Sequence, residues 1–135
     1  MNPETRYTNR IRKHLAAEFP SIKVYKHSDR FNGGIADLHL VKSPGIVIWI
    51  EVKYMAACVH HRKVGITDLQ VEFLREHAAR GVAAYVLVGV GKKTAWYHID
   101  EFDGNVYGKD LKPDAHVDNL IYDAEGGFRL CPTTV

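Results

Sequence analysis

The chain has 135 residues, 46% hydrophobic and 25% charged, with a formal net charge of +2. That length suits one domain able to bury its own core without covalent staples, and so small a basic excess lends only weak support to a nucleic-acid partner. Cys58 and Cys131 offer no disulfide framework, no apolar run approaches the roughly 20 residues needed to cross a bilayer, and the N-terminus is too polar for a secretory signal, so a cytoplasmic protein without a membrane partner is expected.

Asn2 and Pro3 read as the cap and first turn of a helix, and Tyr7, Ile11, Leu15 and Phe19 follow at helical spacing, ending before Pro20. Ile22 to Tyr25 alternates weakly as a first strand, and Asp29 to Gly34 reads as a polar, glycine-bearing turn. Two strand-like runs come next, Ile35 to Val41 and Ile46 to Lys53, joined by Lys42-Ser43-Pro44-Gly45. Each carries an acid. Asp37 lies in the first run and Glu51 in the second, and alternation along a strand sends Glu51 and Lys53 to one side.

Tyr54 to Gly65 reads as a connection. Thr67-Asp68-Leu69-Gln70 matches a capping box and opens a second helix through Phe73, Leu74, His77 and Ala78, with Gly81 placed to end it. Val82 to Val88 is a nearly continuous apolar strand of the kind buried on both faces, and Trp96 to Ile99 adds a short one. Beyond them lies an irregular extension with one hairpin around Asp123 to Gly127. The expected fold is an α/β domain, a central mixed sheet of about four strands flanked by helices, with a core over residues 1–90 and an extension over 91–135. The helical crossover makes the Ile46 to Lys53 and Val82 to Val88 strands parallel, and the shorter links favour antiparallel neighbours.

Glu4 on the first helix, Gly34-Ile35-Ala36-Asp37, Trp49-Ile50-Glu51-Val52-Lys53 and Ile66-Thr67-Asp68-Leu69-Gln70 together resemble the PD-(D/E)XK nuclease superfamily, in particular its VRR-NUC branch. That branch includes small phage and bacterial nucleases and is similar to archaeal Holliday-junction resolvases. The resemblance spans residues 4–90, with Ala36 where a proline often precedes the first acid. It implies a restriction-endonuclease-like core, Mg²⁺ or Mn²⁺ as cofactor, DNA as partner, a 5′-phosphate product and a homodimer.

On this reading Asp37 and Glu51 hold the cation, since Mg²⁺ needs only one or two carboxylates and keeps several waters. The resemblance adds the backbone carbonyl of Val52 as a ligand and Glu4 as an outer ligand through water. An acid in a first helical turn also complements the helix dipole, so Glu4 has two readings. Lys53 orients the attacking water or stabilises the phosphoryl oxygens; as a bland alternative it pairs with Glu51 or Asp37. Gln70 either lines the site or only bonds the backbone at Thr67, two roles that compete for one side chain. His39 shares a strand face with Asp37 and either touches DNA or packs in the core. Lys26 and Arg30 are candidate phosphate contacts, with solvated loop charges as the default. Cys58-Val59-His60-His61 lacks the second ligand pair of a zinc site. The expected activity is metal-dependent endonucleolytic hydrolysis of DNA, selective for branched or junction forms. The alternative is a DNA-binding module of the same fold without catalysis.

Overall fold

The structure is a computed structural model that describes residues 2–27, 34–43 and 45–126. It opens on helix α1, Pro3–Glu18, in which the Asn2 side chain accepts a hydrogen bond from the Thr5 N–H. Strands β1 (Ile22–Lys26), β2 (Leu38–Lys42) and β3 (Ile46–Met55) follow as an antiparallel meander. The turn between β2 and β3 is tight enough for Lys42 to pair with Ile46. Gly45 at φ +84° supplies the left-handed backbone that closes it, a conformation other residues seldom adopt.

Strand β4 (His61–Lys63) leaves the main sheet, helix α2 (Asp68–Ala79) crosses over, and β5 (Ala83–Val90) returns parallel to β3. The parallel pairing is the one expected from the crossover. Strand β6 (Lys93–His98) then runs antiparallel to β5, β7 (Asn105–Tyr107) pairs with β4, and β8 (Lys112–Pro113) pairs with β6. A six-stranded mixed sheet in the order β1-β2-β3-β5-β6-β8 results, beside a two-stranded one. The α/β class with helices on both faces is as anticipated. The sheet is wider than four strands because the extension adds β6 and β8 to its edge.

Two expectations are corrected here. The connection from Tyr54 to Gly65 carries real structure: β3 continues to Met55, and His61 to Lys63 make β4. Around Asp123 there is no hairpin but helix α3, Asp118–Gly126; Gly127 lies outside the described residues. Val117, Leu120, Ile121 and Ala124 recur at helical spacing and are all buried. The expected turn over 29–34 falls, except for Gly34, outside the described residues as well.

The sheet separates two apolar layers. On one face Tyr7, Ile11 and Leu15 of α1 and Leu120, Ile121 and Ala124 of α3 pack on Leu38, Leu40, Ile48, Ile50, Val52 and Leu87. On the other, Leu74 of α2 packs with Val64, Ala84, Val86, Val88 and Val106. The extension is therefore half of one layer, held at its rim by polar contacts. Arg10 Nε donates to Asp114 at 2.9 Å, His14 meets Asp118 at 2.7 Å, Trp96 Nε1 donates to Asp123 at 2.8 Å, and Lys42 pairs with Glu125. Among the described residues no helix is long and apolar enough to cross a membrane.

The first layer also depends on a close approach. A Cβ on Gly89 would stand 2.6 Å from the ring of Tyr7, whose hydroxyl bonds Thr94 at 2.5 Å on the neighbouring strand. Neither partner can give way: Tyr7 is fully buried and Gly89 is paired on both sides, with Tyr54 of β3 and Thr94 of β6. Gly89→Ala should therefore destabilise the fold by about 1–3 kcal/mol through overpacking. Urea unfolding would show this as a lower midpoint at unchanged slope; an unaltered midpoint would contradict the packing described.

Candidate active site

Odd-numbered residues of β2 and β3 face α2. Trp49 packs edge-on against Phe73 of that helix at 4.9 Å, and two residues further along β3 Glu51 receives a hydrogen bond from Gln70. Leu38 pairs with Ile50, so Asp37, one residue ahead of β2, falls beside Glu51. The Val52 N–H donates to Asp37 Oδ2 at 3.0 Å and fixes that carboxylate on the β3 backbone. Lys53 Nζ lies 3.3 Å from Glu51 Oε2. Asp37, Glu51 and Lys53 thus converge as the alternation of the strands suggested, and no helix-to-helix contact is needed to bring them together.

Glu51 is only 1% exposed, in a strand whose neighbours are Ile50 and Val52. Burial, reinforced by the nearby Asp37 charge, pushes its pKa up to about 8, while the Lys53 ammonium pulls in the opposite direction. Glu4, half-buried at the start of α1, is also raised, by desolvation first; Lys53 lowers it and Asp37 raises it. Glu4 is therefore within electrostatic reach of the site, and no direct bond joins it to the other acids among the described residues.

Gln70 resolves a competition that the sequence left open, and it does so against expectation. Its Oε1 accepts from the Thr67 N–H at 3.0 Å, completing the capping box, while its Nε2 donates to Glu51 Oε2 at 3.0 Å. The two roles use opposite ends of one amide, an acceptor and a donor, so both are filled. Because the cap occupies the oxygen, only the NH₂ end can face Glu51. Thr67, which sequence reasoning treated as a helix start alone, is thereby a positioning residue for the site.

His39 sits beside the acids but is engaged in ring packing. It stacks on Tyr25 at 4.6 Å, lies 4.7 Å from Trp49, and meets His27 edge to edge through a 2.6 Å hydrogen bond. Desolvation, then His27, lowers its pKa. Tyr25 and His27 had no assigned role, because their proximity to His39 depends on the β1–β2 register. Lys26 is exposed at the end of β1, and Arg30 lies outside the described residues. Cys58 is a free thiol donating to the Val106 carbonyl at 3.6 Å, and Cys131 is not among the described residues.

One atom tests whether these residues suit a cation. Glu51 Oε1 is buried and has no hydrogen-bond partner among the described residues. An unpartnered buried carboxylate oxygen is costly, and a divalent ion is the partner that both satisfies it and reverses the raised pKa. The described residues contain no group of three or more His, Cys, Asp or Glu able to hold a metal. Two carboxylates with a main-chain carbonyl and water still match what Mg²⁺ accepts. The donor set fits.

No family model matches the chain, and no curated protein does. Among solved structures it is similar to Hjc of Archaeoglobus fulgidus, a Holliday junction resolvase from an archaeal hyperthermophile. The TM-score is 0.54 at 14% identity, over 81% of this chain and 98% of that one. The chain therefore shares the fold of that protein.

Three measurements follow from this geometry. Glu51 has a folded pKa above its ordinary value of 4.5, so between that pH and about 8 the native state keeps a proton the unfolded chain has lost. In chelator, stability should decline as pH rises through that window, and Glu51→Gln should flatten the profile; a wild-type profile already flat would argue against the buried acid. Measured by urea unfolding near neutral pH, Gln70→Ala should remove about 0.5–1.5 kcal/mol through its lost hydrogen bond to Glu51, and Thr67→Val about 1 kcal/mol of capping. Gln70→Glu sets a second carboxyl beside Glu51, so the pH at which Mn²⁺ binds, read by calorimetry, should move upward.

Proposed function

We propose that this chain is a divalent-metal-dependent DNA endonuclease selective for branched structures such as four-way junctions. The observation that carries the reading is the buried Glu51 oxygen without a partner, next to Asp37 and within 3.3 Å of Lys53 by its other oxygen. The resolvase-like fold supports the substrate class. On the pattern Asp37, Glu51-Val52-Lys53 and Gln70, the reading places the chain in the VRR-NUC branch of the PD-(D/E)XK superfamily.

In this reading Asp37, Glu51 and the Val52 carbonyl hold Mg²⁺, or Mn²⁺ in its place, and Glu4 acts through water. Bound there, the ion would polarise the scissile phosphate and acidify a water. The chain's own groups do the remaining work. The Val52 N–H and the Gln70 amide lock the two carboxylates in place before substrate arrives. Lys53, whose side chain is mostly buried, stabilises charge building on the phosphoryl oxygens and orients the nucleophile. The products carry a 5′-phosphate. Among the described residues one copy carries one such site, whereas symmetric cutting of a four-way junction takes two, which is the ground for reading the working unit as a homodimer.

A DNA-binding module without catalysis is the second reading, since Lys53 Nζ, 3.3 Å from Glu51 Oε2, also serves as a plain ion-pair partner. One experiment separates the two. With Mg²⁺, the wild type should nick four-way and flap DNA faster than linear duplex. Asp37→Ala and Lys53→Ala should each lower the rate by about 100-fold or more while gel-shift affinity in chelator is retained. Wild-type binding with no cleavage in Mg²⁺ or Mn²⁺ would select the inactive module.

A further inference from the structure

Beside the acids, the same sheet face carries a second rank of side chains with a different chemistry. Tyr25 pairs with His39 and His39 with Trp49, so three rings stand abreast on β1, β2 and β3. The acids Asp37 and Glu51 form the adjacent rank, two residues along each strand, a step of about 6.5–7 Å. The rings are ordered. Tyr25 lies nearly parallel to His39, 13° apart, and His27 lies 18° from the same imidazole and bonded to it. Trp49 is braced from beneath by Phe73 and His77 of α2.

The series ends in an open plate. Tyr25 is 42% exposed on the edge strand β1, with one ring face spent on His39. Lys23, two residues away and on the same face of β1, is exposed as well. The His27 N–H donates to the Asp37 carbonyl at 2.7 Å, tying this rank to the catalytic acid through the backbone. An ordered aromatic plate, a cation beside it and a phosphodiester-cleaving centre one rank away match the needs of an unpaired nucleotide. Stacking on an aromatic ring binds any base, and a nearby lysine meets its phosphate.

We propose that Tyr25, held by His39, His27 and Trp49, is a stacking subsite for an unpaired base next to the scissile phosphate. The inference rests on the nuclease reading and extends it: selectivity for branched DNA arises because only an unstacked base reaches the plate. In perfect duplex every base is already stacked and unavailable.

The test uses the full chain in chelator, with splayed-arm DNA carrying 2-aminopurine at the unpaired position flanking the branch, and a perfect duplex of the same length. Wild type should quench the probe on binding. Tyr25→Ala should lose the quenching and bind splayed DNA about 5- to 150-fold more weakly, with duplex affinity within about twofold. Tyr25→Phe, which keeps the ring, should behave as wild type in both. Thermal unfolding confirms that both variants are folded. Equal loss on both DNAs, no loss, or a Tyr25→Phe variant that behaves like Tyr25→Ala would each overturn the subsite while leaving Mg²⁺-dependent cleavage by the wild type untouched. A wild type that binds no DNA at low salt would overturn the nuclease reading and the subsite together.

Discussion

Burial of the Glu51 carboxyl is the constraint around which this site is organised. Strand β3 lies inside the sheet, its faces covered by α1 and α3 on one side and α2 on the other, and Glu51 is the charged residue placed within that shielded stretch. An acid there is tolerated only if its oxygens are satisfied or it stays protonated. One oxygen meets the Gln70 amide and the Lys53 ammonium; the other has no hydrogen-bond donor among the described residues. That asymmetry turns a structural liability into a cation site, because the same desolvation that raises the pKa makes binding of a positive ion more favourable than it would be at the surface.

The surrounding architecture serves to hold that arrangement still. The N-terminus of α2 is fixed by its capping box, and the box fixes the Gln70 amide as a by-product. Asp37 is tied to the backbone of β3 by the Val52 N–H, so its position follows the sheet. On the far face, α3 shares the apolar layer with α1, and the contacts of Asp114, Asp118 and Glu125 pin it to α1 and β2. The extension thereby covers the back of β2 and β3, the strands that present the acids, and the site faces the opposite side.

Much of this was legible in the residues. Asn2-Pro3 and Thr67-Asp68-Leu69-Gln70 marked both long helices because caps are local hydrogen-bonding devices. The alternation Glu51-Val52-Lys53 placed the acid and the amine together because a strand has a period of two. The last helix was equally readable from Val117, Leu120, Ile121 and Ala124, but the glycines after it drew attention to a turn. Strands β4 and β7 are three residues each and carry no periodicity that could announce them; they exist because they pair with one another.

The sequence by itself determined both long helices and the strands β1, β2, β3 and β5, the parallel crossover and the identity of the Asp37, Glu51 and Lys53 cluster, since each rests on spacing within a short stretch of chain. Tertiary structure alone decided that Gln70 serves the cap and the acid at once, that Tyr25 stacks on His39 while His27 bonds its edge, and that one oxygen of Glu51 has no hydrogen-bond partner among the described residues. These depend on the register between strands and on the distance from helix to sheet. Both are fixed by packing among residues far apart in the chain, and no local pattern encodes them.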